Sequence, residues 1–322
     1  MFPTRFTRLQ LLAVAGSLGL AVVAGAKPPT SAKPPTSAKP PTSVKSPATE
    51  KQQPDTSTSP YEAFVLSLKP AGYWRLGEAK GPTAADSSGN KRDGEYHGAF
   101  KFHQPGALKD DKNTSVLLEG KSYVEIPSNK AFSISDKGLT VEVWLQIPDL
   151  DFPGQTSGGD DPYVHWLGKG EKDDYEWGLR IYSKHKKDGQ LSGRPNRISA
   201  YVWNPKSEKG VSNEGAGAYF QDELVVNQWM HIVAVYDPPG KDAGVRIYRD
   251  GVLRKGPPDA ATLYSTYDVT PTPGAAPLRL GTRDKLSYLH GGLDEVAIYP
   301  RVLSAEEIKK AYQLGSAAPK HR

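Results

Sequence analysis

The 322-residue sequence predicts an all-β protein, a two-sheet antiparallel jelly-roll sandwich with one short C-terminal helix. Three observations predict it. From Tyr61 onward the chain is a succession of short runs rich in Val, Ile, Tyr and Trp, cut by Gly, Pro, Asn and Asp. Residues 140–147 alternate, with Val141, Val143, Leu145 and Ile147 on one face and Glu142, Trp144 and Gln146 on the other. One segment near the end, opening at Ser304, carries clear helix start and stop signals. Many short strands separated by turns, with little helix, suit stacked antiparallel sheets.

In chain order, Arg5 and Arg8 precede an apolar run from Leu11 to Ala26 that closes on Ala24-Gly25-Ala26. A basic start, an apolar centre and a small-residue exit predict a secretory signal peptide over 1–26. The apolar run of 16 residues is shorter than the roughly 20 a bilayer requires, so cleavage is expected and no membrane span remains. Next, Lys-Pro-Pro-Thr-Ser-Ala is followed by a second copy and a near-copy ending at Val44. Proline pairs hold an extended path and the Lys, Thr and Ser side chains keep it hydrated, which predicts a disordered linker over 27–60. The folded domain is expected over 61–316 and a disordered tail over 317–322.

Within the domain, strands are expected at 73–76, 115–119, 123–126, 140–147, 163–167, 176–182, 197–203, 229–236, 244–249, 278–281 and 292–299. The segment 229–236 is apolar on both faces, as a central strand is. Asp250-Gly251 suits a tight hairpin turn because Gly tolerates positive φ. Ser304 with Glu307 reads as a capping box, helix formers continue to Leu314, and Gly315 ends the run. Ile308, Ala311 and Tyr312 fall at helical spacing and are expected to face the sandwich.

Composition excludes several functions. With no cysteine there is no disulfide framework, iron–sulfur cluster, thiolate zinc site or cysteine nucleophile. Seven basic and two acidic residues lie in 1–59, so that segment holds the whole +5 charge, and 34 basic and 34 acidic residues balance in the remainder. A neutral folded part lacks the cationic excess of a nucleic-acid surface, and no nucleic-acid partner is expected. The seven histidines form no metalloprotease pair, and no Gly-x-Ser-x-Gly elbow is present. His231 alternates with Trp229 and Val233 as a packed strand residue, while His103, His165 and His290 read as surface residues.

An ordered series of motifs carries a resemblance. The series runs from Gly72-Tyr73-Trp74-Arg75-Leu76-Gly77-Glu78 through Asp86-Ser87-Ser88-Gly89-Asn90, Asp93-Gly94-Glu95-Tyr96, Tyr123-Val124-Glu125-Ile126-Pro127 and Leu139-Thr140-Val141-Glu142-Val143-Trp144. It continues with Trp229-Met230-His231-Ile232-Val233-Ala234 and Ile247-Tyr248-Arg249-Asp250-Gly251, and closes on Gly291 to Tyr299 and Leu303 to Ile308. In this order the pieces resemble the laminin G-like, concanavalin A-like jelly rolls, especially short modules of secreted bacterial proteins. One such fold hosts many activities.

The resemblance implies a structural calcium joining the turn at 86–90 to the last strand. Asp86 and Asp294 would give carboxylate oxygens, with Asn90 and carbonyls near Gly98 completing a shell of six to eight oxygens. The other reading is a metal-free polar turn with Asp294 capping a strand. A second acidic loop, Gly158-Gly159-Asp160-Asp161, reads as solvated. Glu171-x-Asp173-x-x-Glu176 matches the bare spacing of retaining glucanases of this fold, but its intervening charges read as a hairpin tip. No catalytic residue is therefore assigned. Asn196, Tyr201, Trp203, Asn204, Tyr219 and Phe220 are the candidate ligand face, since sugars stack on aromatic rings while amides hold their hydroxyls. The sequence thus predicts an exported, non-catalytic module that binds a glycan or an envelope or extracellular protein. The alternatives are a glycoside hydrolase acting through Glu171 and Glu176, and a purely structural envelope component.

Overall fold

The computed structural model describes residues 58–156, 161–171, 174–203, 215–238, 244–254 and 273–317. The chain divides into Met1–Asp55 and Thr56–Arg322, and all described residues belong to the second unit. The expected signal peptide, nearly all of the linker and the tail beyond residue 317 lie outside the described residues.

The elements are α1 (Pro60–Ser67), β1 (Gly72–Trp74), β2 (Thr83–Ala84), β3 (Gly94–His97), β4 (Phe100–Pro105), β5 (Thr114–Glu119), β6 (Tyr123–Ile126), β7 (Leu139–Gln146), β8 (Tyr163–Glu171), β9 (Asp174–Tyr182), β10 (Ile198–Trp203), β11 (Gly215–Phe220), β12 (Trp229–Tyr236), β13 (Val245–Arg249), β14 (Val252–Arg254), β15 (Leu278–Leu280), β16 (His290–Tyr299) and α2 (Ala305–Ser316). They form two antiparallel sheets. The first runs β14-β13-β12-β7-β16-β5-β4, with β1 also on β16, and the second runs β11-β10-β9-β8-β15-β6-β3-β2.

Alternation explains the packing. Val141, Val143 and Leu145 of β7 meet Trp177, Leu179 and Ile181 of β9 and Ile198, Ala200 and Val202 of β10 in the core between the sheets. The other face of β7 is buried too. Trp144 joins Tyr61, Val65, Ile308 and Ala311 in a second cluster, because α1 and α2 cover the outer side of the first sheet. β12 lies between β13 and β7, as its two apolar faces require. Asp250 and Gly251 both take positive φ (54° and 75°) in the two-residue turn that pairs Arg249 with Val252, the geometry a twisted hairpin prefers.

The α2 capping box forms as expected, with Ser304 and Glu307 each accepting from the other's backbone N–H. Gly315 corrects one expectation. It lies inside the last turn of α2, and a Cβ there would come within 2.6 Å of Trp144 and 2.9 Å of Leu108. Close packing on the sheet requires the glycine, and the helix ends two residues later at Ala317.

The helix α1 was not expected. Ser59 caps it by accepting from Glu62 N, and Pro60 occupies the first turn, where its missing N–H costs nothing. Two polar ties fix it to the first sheet. Tyr61 donates to the buried Glu142 (2.7 Å), and Glu62 pairs with Arg75 (2.8 Å), which also reaches Asp111 (2.6 Å) and Glu295 (2.9 Å).

Candidate functional site

Among the described residues no helix covers the outer face of the second sheet, which carries an unusual set of side chains. On β9, Trp177, Leu179 and Ile181 point into the core, so Gly178, Arg180 and Tyr182 face outward. The same rule turns Tyr163 and His165 of β8, Tyr201 and Trp203 of β10, and Tyr219 of β11 to that side. Glycines make room for flat stacking. Gly168 and Gly178 pair across β8 and β9, and a Cβ on either would lie 3.0–3.2 Å from the aliphatic stem of Arg283. Likewise Gly217 leaves space for the Tyr201 ring.

Guanidinium groups then interleave with the rings. Arg180 lies 4.2 Å from the Tyr163 ring centre and 4.3 Å from that of Tyr201. Arg197 lies 4.0 Å from Tyr219, and Arg283 lies 3.9 Å from Tyr175 and 4.6 Å from Trp203. Arg180 donates to His165 Nε2 (3.1 Å), to the Tyr182 hydroxyl (2.8 Å) and to the Tyr201 hydroxyl (3.3 Å). Arg283 is 3% exposed; its Nη2 pairs with Asp284 (2.7 Å), while Nε and Nη1 have no hydrogen-bond partner among the described residues. The local field is positive. Burial, Arg283 and Arg180 together push the His165 imidazole well below its ordinary range. Burial works to raise the Tyr182 phenol, but Arg180 overrides it and holds the group below its usual value. Arg180, Tyr175, Trp203 and Arg197 keep part of their surface exposed and form the rim of the platform.

Farther along the same face lies a groove of about 640 Å³ lined by residues that include Asp93, Glu95, His97 and Glu125. Between groove and platform, Arg279 bridges Glu125 (2.7 Å) and Glu171.

The expected ligand face is partly assembled. Tyr201, Trp203 and Tyr219 join the platform. Phe220 does not: it is 1% exposed and points into the core beside Ala216 and Ala218, because its place on β11 has inward parity. Asn196 serves the turn before β10, with φ at +60°. Asn204 lies outside the described residues. His165 is corrected from a surface residue to a buried one, 2% exposed within the platform. Arg180, Tyr163 and Tyr182 went unassigned although strand parity marks them. Arg283 sits on the 281–289 loop, where no periodicity applies.

The expected calcium ligands are each engaged in contacts of the fold itself. Asp86 accepts backbone N–H bonds from Tyr73 (3.0 Å), Ser88 (2.9 Å) and Arg92 (2.9 Å), so both its oxygens organise the turn. Asn90 donates its amide to Pro70 O (3.0 Å). Asp294 accepts from Ala107 N (2.7 Å) and Asn113 Nδ2 (3.2 Å), and burial pushes its carboxyl well up. Gly98, at φ +92°, packs against the backbone of Lys121 and Ser122. Three donors on Asp86 and two on Asp294 engage these carboxylates in organising their own loops. Among the described residues no group of three or more His, Asp or Glu could hold a metal ion.

Glu171 and Glu176 sit on opposite limbs of the β8–β9 hairpin, where Glu171 pairs with Asp174. Arg279 binds Glu171, and the buried Glu176 is held by Lys169 and by Gly274 N. A charged hairpin of this kind is what the intervening Lys172 and Asp174 implied.

Residues 118–309 match the laminin G-like family model described as the concanavalin A-like lectin/glucanases superfamily. The chain belongs to this superfamily. Similar solved structures include the binding domain of botulinum neurotoxin DC in complex with SialylT, at TM-score 0.51 and 13% identity over 77% of this chain and 52% of that one. The serotype D ligand-binding domain in complex with N-acetylneuraminic acid and the DC binding domain in complex with rat synaptotagmin II match equally, each at TM-score 0.51, 12% identity, 77% of this chain and 52% of that chain. This superfamily member spans about half the length of those chains, and at such identity the likeness shows the fold. No curated protein matches the sequence. No helix among the described residues is long and apolar enough to cross a membrane.

Proposed function

We propose that this superfamily member is an exported, non-catalytic binding module that docks a glycan on the outer face of its second sheet. One observation carries the reading: planar rings and guanidinium groups, stacked at 3.9–4.6 Å, are left partly exposed at Tyr175, Trp203 and Arg180 on a face over which no described helix lies. Flat aromatic surface takes the apolar face of a sugar ring, and guanidinium forks take its oxygens. The neurotoxin binding domains of like fold are described in complex with a sialyl ligand, N-acetylneuraminic acid and rat synaptotagmin II, which supports a binding role. A protein ligand is the second reading, favoured by the Trp, Tyr and Arg composition shared with interface hot spots. Export rests on the segment 1–26 and the linker after it.

A glycan array with the full chain tests the reading. Trp203→Ala weakens glycan binding about 30-fold, the equivalent of a ~2 kcal/mol hot spot. Reducing-sugar release from the bound glycan stays at the blank level, and Glu171→Gln does not alter it. Enzymatic release that disappears in Glu171→Gln overturns the non-catalytic assignment.

A further inference from the structure

The charge balance of the platform goes further than a generic sugar site. Four arginines, at 180, 194, 197 and 283, gather at the β8–β11 end of the sheet face. Among the described residues the carboxylates paired near them are Asp284, which pairs with Nη2 of Arg283, and at the edge Asp161, which accepts from Gly193 N (3.0 Å). The hydrogen-bond acceptors of Arg180 are neutral: an imidazole nitrogen and two phenol oxygens. A buried guanidinium with two unmatched nitrogens, carrying three N–H groups between them, is costly unless a further acceptor completes it. The buried, unpartnered nitrogens of Arg283 therefore mark a missing acceptor, and the uncompensated cation at Arg180 marks it as anionic.

The opposite end of the same face has the other sign, with Asp93, Glu95 and Glu125 around the groove. A uniformly charged chain lying along the sheet would be repelled there. The arrangement suits a ligand with its acidic group at one end and neutral sugar beyond it.

We propose that the platform selects acidic sugars, Arg283 and Arg180 taking a carboxylate or sulfate ester while Trp203 or Tyr175 stacks on the ring that bears it. This rests on the glycan-binding reading above. Carboxylate and sulfate share the chemistry, since both offer two or more oxygens to a guanidinium fork.

Matched glycan pairs on an array test it with the full chain. One member ends in a uronic acid or a sulfated sugar, and the other is its carboxyl-reduced or desulfated form. The acidic member of at least one pair is expected to bind about tenfold or more tightly, and the uronate and sulfate arms show which anion is preferred. Arg283→Gln and, at the partly exposed rim, Arg180→Gln bring the ratio toward one, the acidic member losing far more affinity than the neutral one. Arg301→Gln, an equal charge change beside α2, leaves the ratio intact and so controls for the loss of one positive charge. Trp203→Ala weakens both members alike. A wild-type ratio near one, a ratio that survives both arginine substitutions in folded protein, or equal competition by an oligoglutamate peptide overturns the acidic-sugar assignment and leaves glycan binding standing. Failure of every glycan to bind overturns both.

Discussion

Removing one oxygen from Tyr61 tests how the N-terminal helix is held. The Tyr61 hydroxyl donates to Glu142 Oε1 (2.7 Å) and accepts from Trp144 Nε1 (3.2 Å), all in a buried setting. Glu142 also takes His231 Nε2 (2.8 Å) and the Tyr299 hydroxyl (2.7 Å), so the carboxylate is the hub of a closed network. In Tyr61→Phe the ring keeps its edge-on packing with Trp144, whose centre is 6.4 Å away. What is lost is one hydrogen bond to a charged group and the acceptor for a buried indole N–H. Hydrogen bonds to charges contribute about 1.5–3 kcal/mol, and about 2 kcal/mol is expected here. For a domain of this size each kcal/mol moves Tm by roughly 2–4 °C, so Tm falls by about 4–8 °C. Urea unfolding gives the free energy directly, with the slope against denaturant unchanged because the same surface is exposed. Tyr299→Phe, which strips the other Glu142 oxygen, costs a similar amount, and the double variant departs from additivity by about 0.5 kcal/mol or more because both bonds share one carboxylate. A Tyr61→Phe variant within about 0.5 kcal/mol of wild type refutes the network and leaves α1 a helix that merely lies on the surface.

Three further outcomes follow from other buried charges. Lys169→Met strands Glu176 in the core and lowers stability by about 3–5 kcal/mol in urea unfolding, whereas Lys169→Met with Glu176→Leu recovers most of it. Because Asp86 is occupied by three backbone N–H donors, a chelator leaves Tm unchanged while Asp86→Ala lowers stability by about 2 kcal/mol; a chelator-induced drop that Asp86→Ala abolishes would restore the calcium assignment. Burial works to raise the Glu142 carboxyl, but His231 and the two tyrosines hold it below the ordinary 4.5. A folded value below the unfolded one means its contribution is full above pH 4.5 and is lost as pH falls through the folded value. The free-energy gap between wild type and Glu142→Gln therefore shrinks on acidification below pH 4.5, and a gap constant from pH 7 to 3 refutes this.

The strands were legible where side-chain parity or turn chemistry is strong. The alternation of β7, the doubly apolar β12 and the Asp250-Gly251 turn each follow from a local rule, and each lies where that rule puts it. Strands β3 and β4 were passed over because Gly94–His97 and Phe100–Pro105 offer two or three apolar residues apiece and stand near the sheet edges. The helix α1 has a capping serine and a proline, yet its apolar residues follow no clean stripe, and its anchor, Glu142, is 81 residues away. The site divides in the same manner. Tyr201 and Trp203 share a strand face that parity predicts, whereas the approach of Arg283 depends on two glycines meeting across β8 and β9. Such a trough comes from strand register, which no single segment encodes.

The two sheets treat charge on their outer faces in opposite ways, and the contrast bears on function. On the first sheet the buried Glu142 has both oxygens bonded, and two helices seal it from water. That is a structural solution, since a buried charge with its partners present needs nothing from outside. On the second sheet Arg283 is also deeply buried but keeps two nitrogens unmatched among the described residues, where Arg180 finds only neutral acceptors beside a partly exposed rim. The aromatic rings that stack on these cations lower their cost without cancelling their charge. If the second face were structural in the same sense, removing Arg283 together with its buried partner (Arg283→Met with Asp284→Asn) would destabilise the protein; the unmatched donors predict a gain instead, with the methionine filling the trough over Gly168 and Gly178. Gain of stability together with loss of acidic-glycan binding is the signature of a side chain kept for a ligand at the expense of the fold.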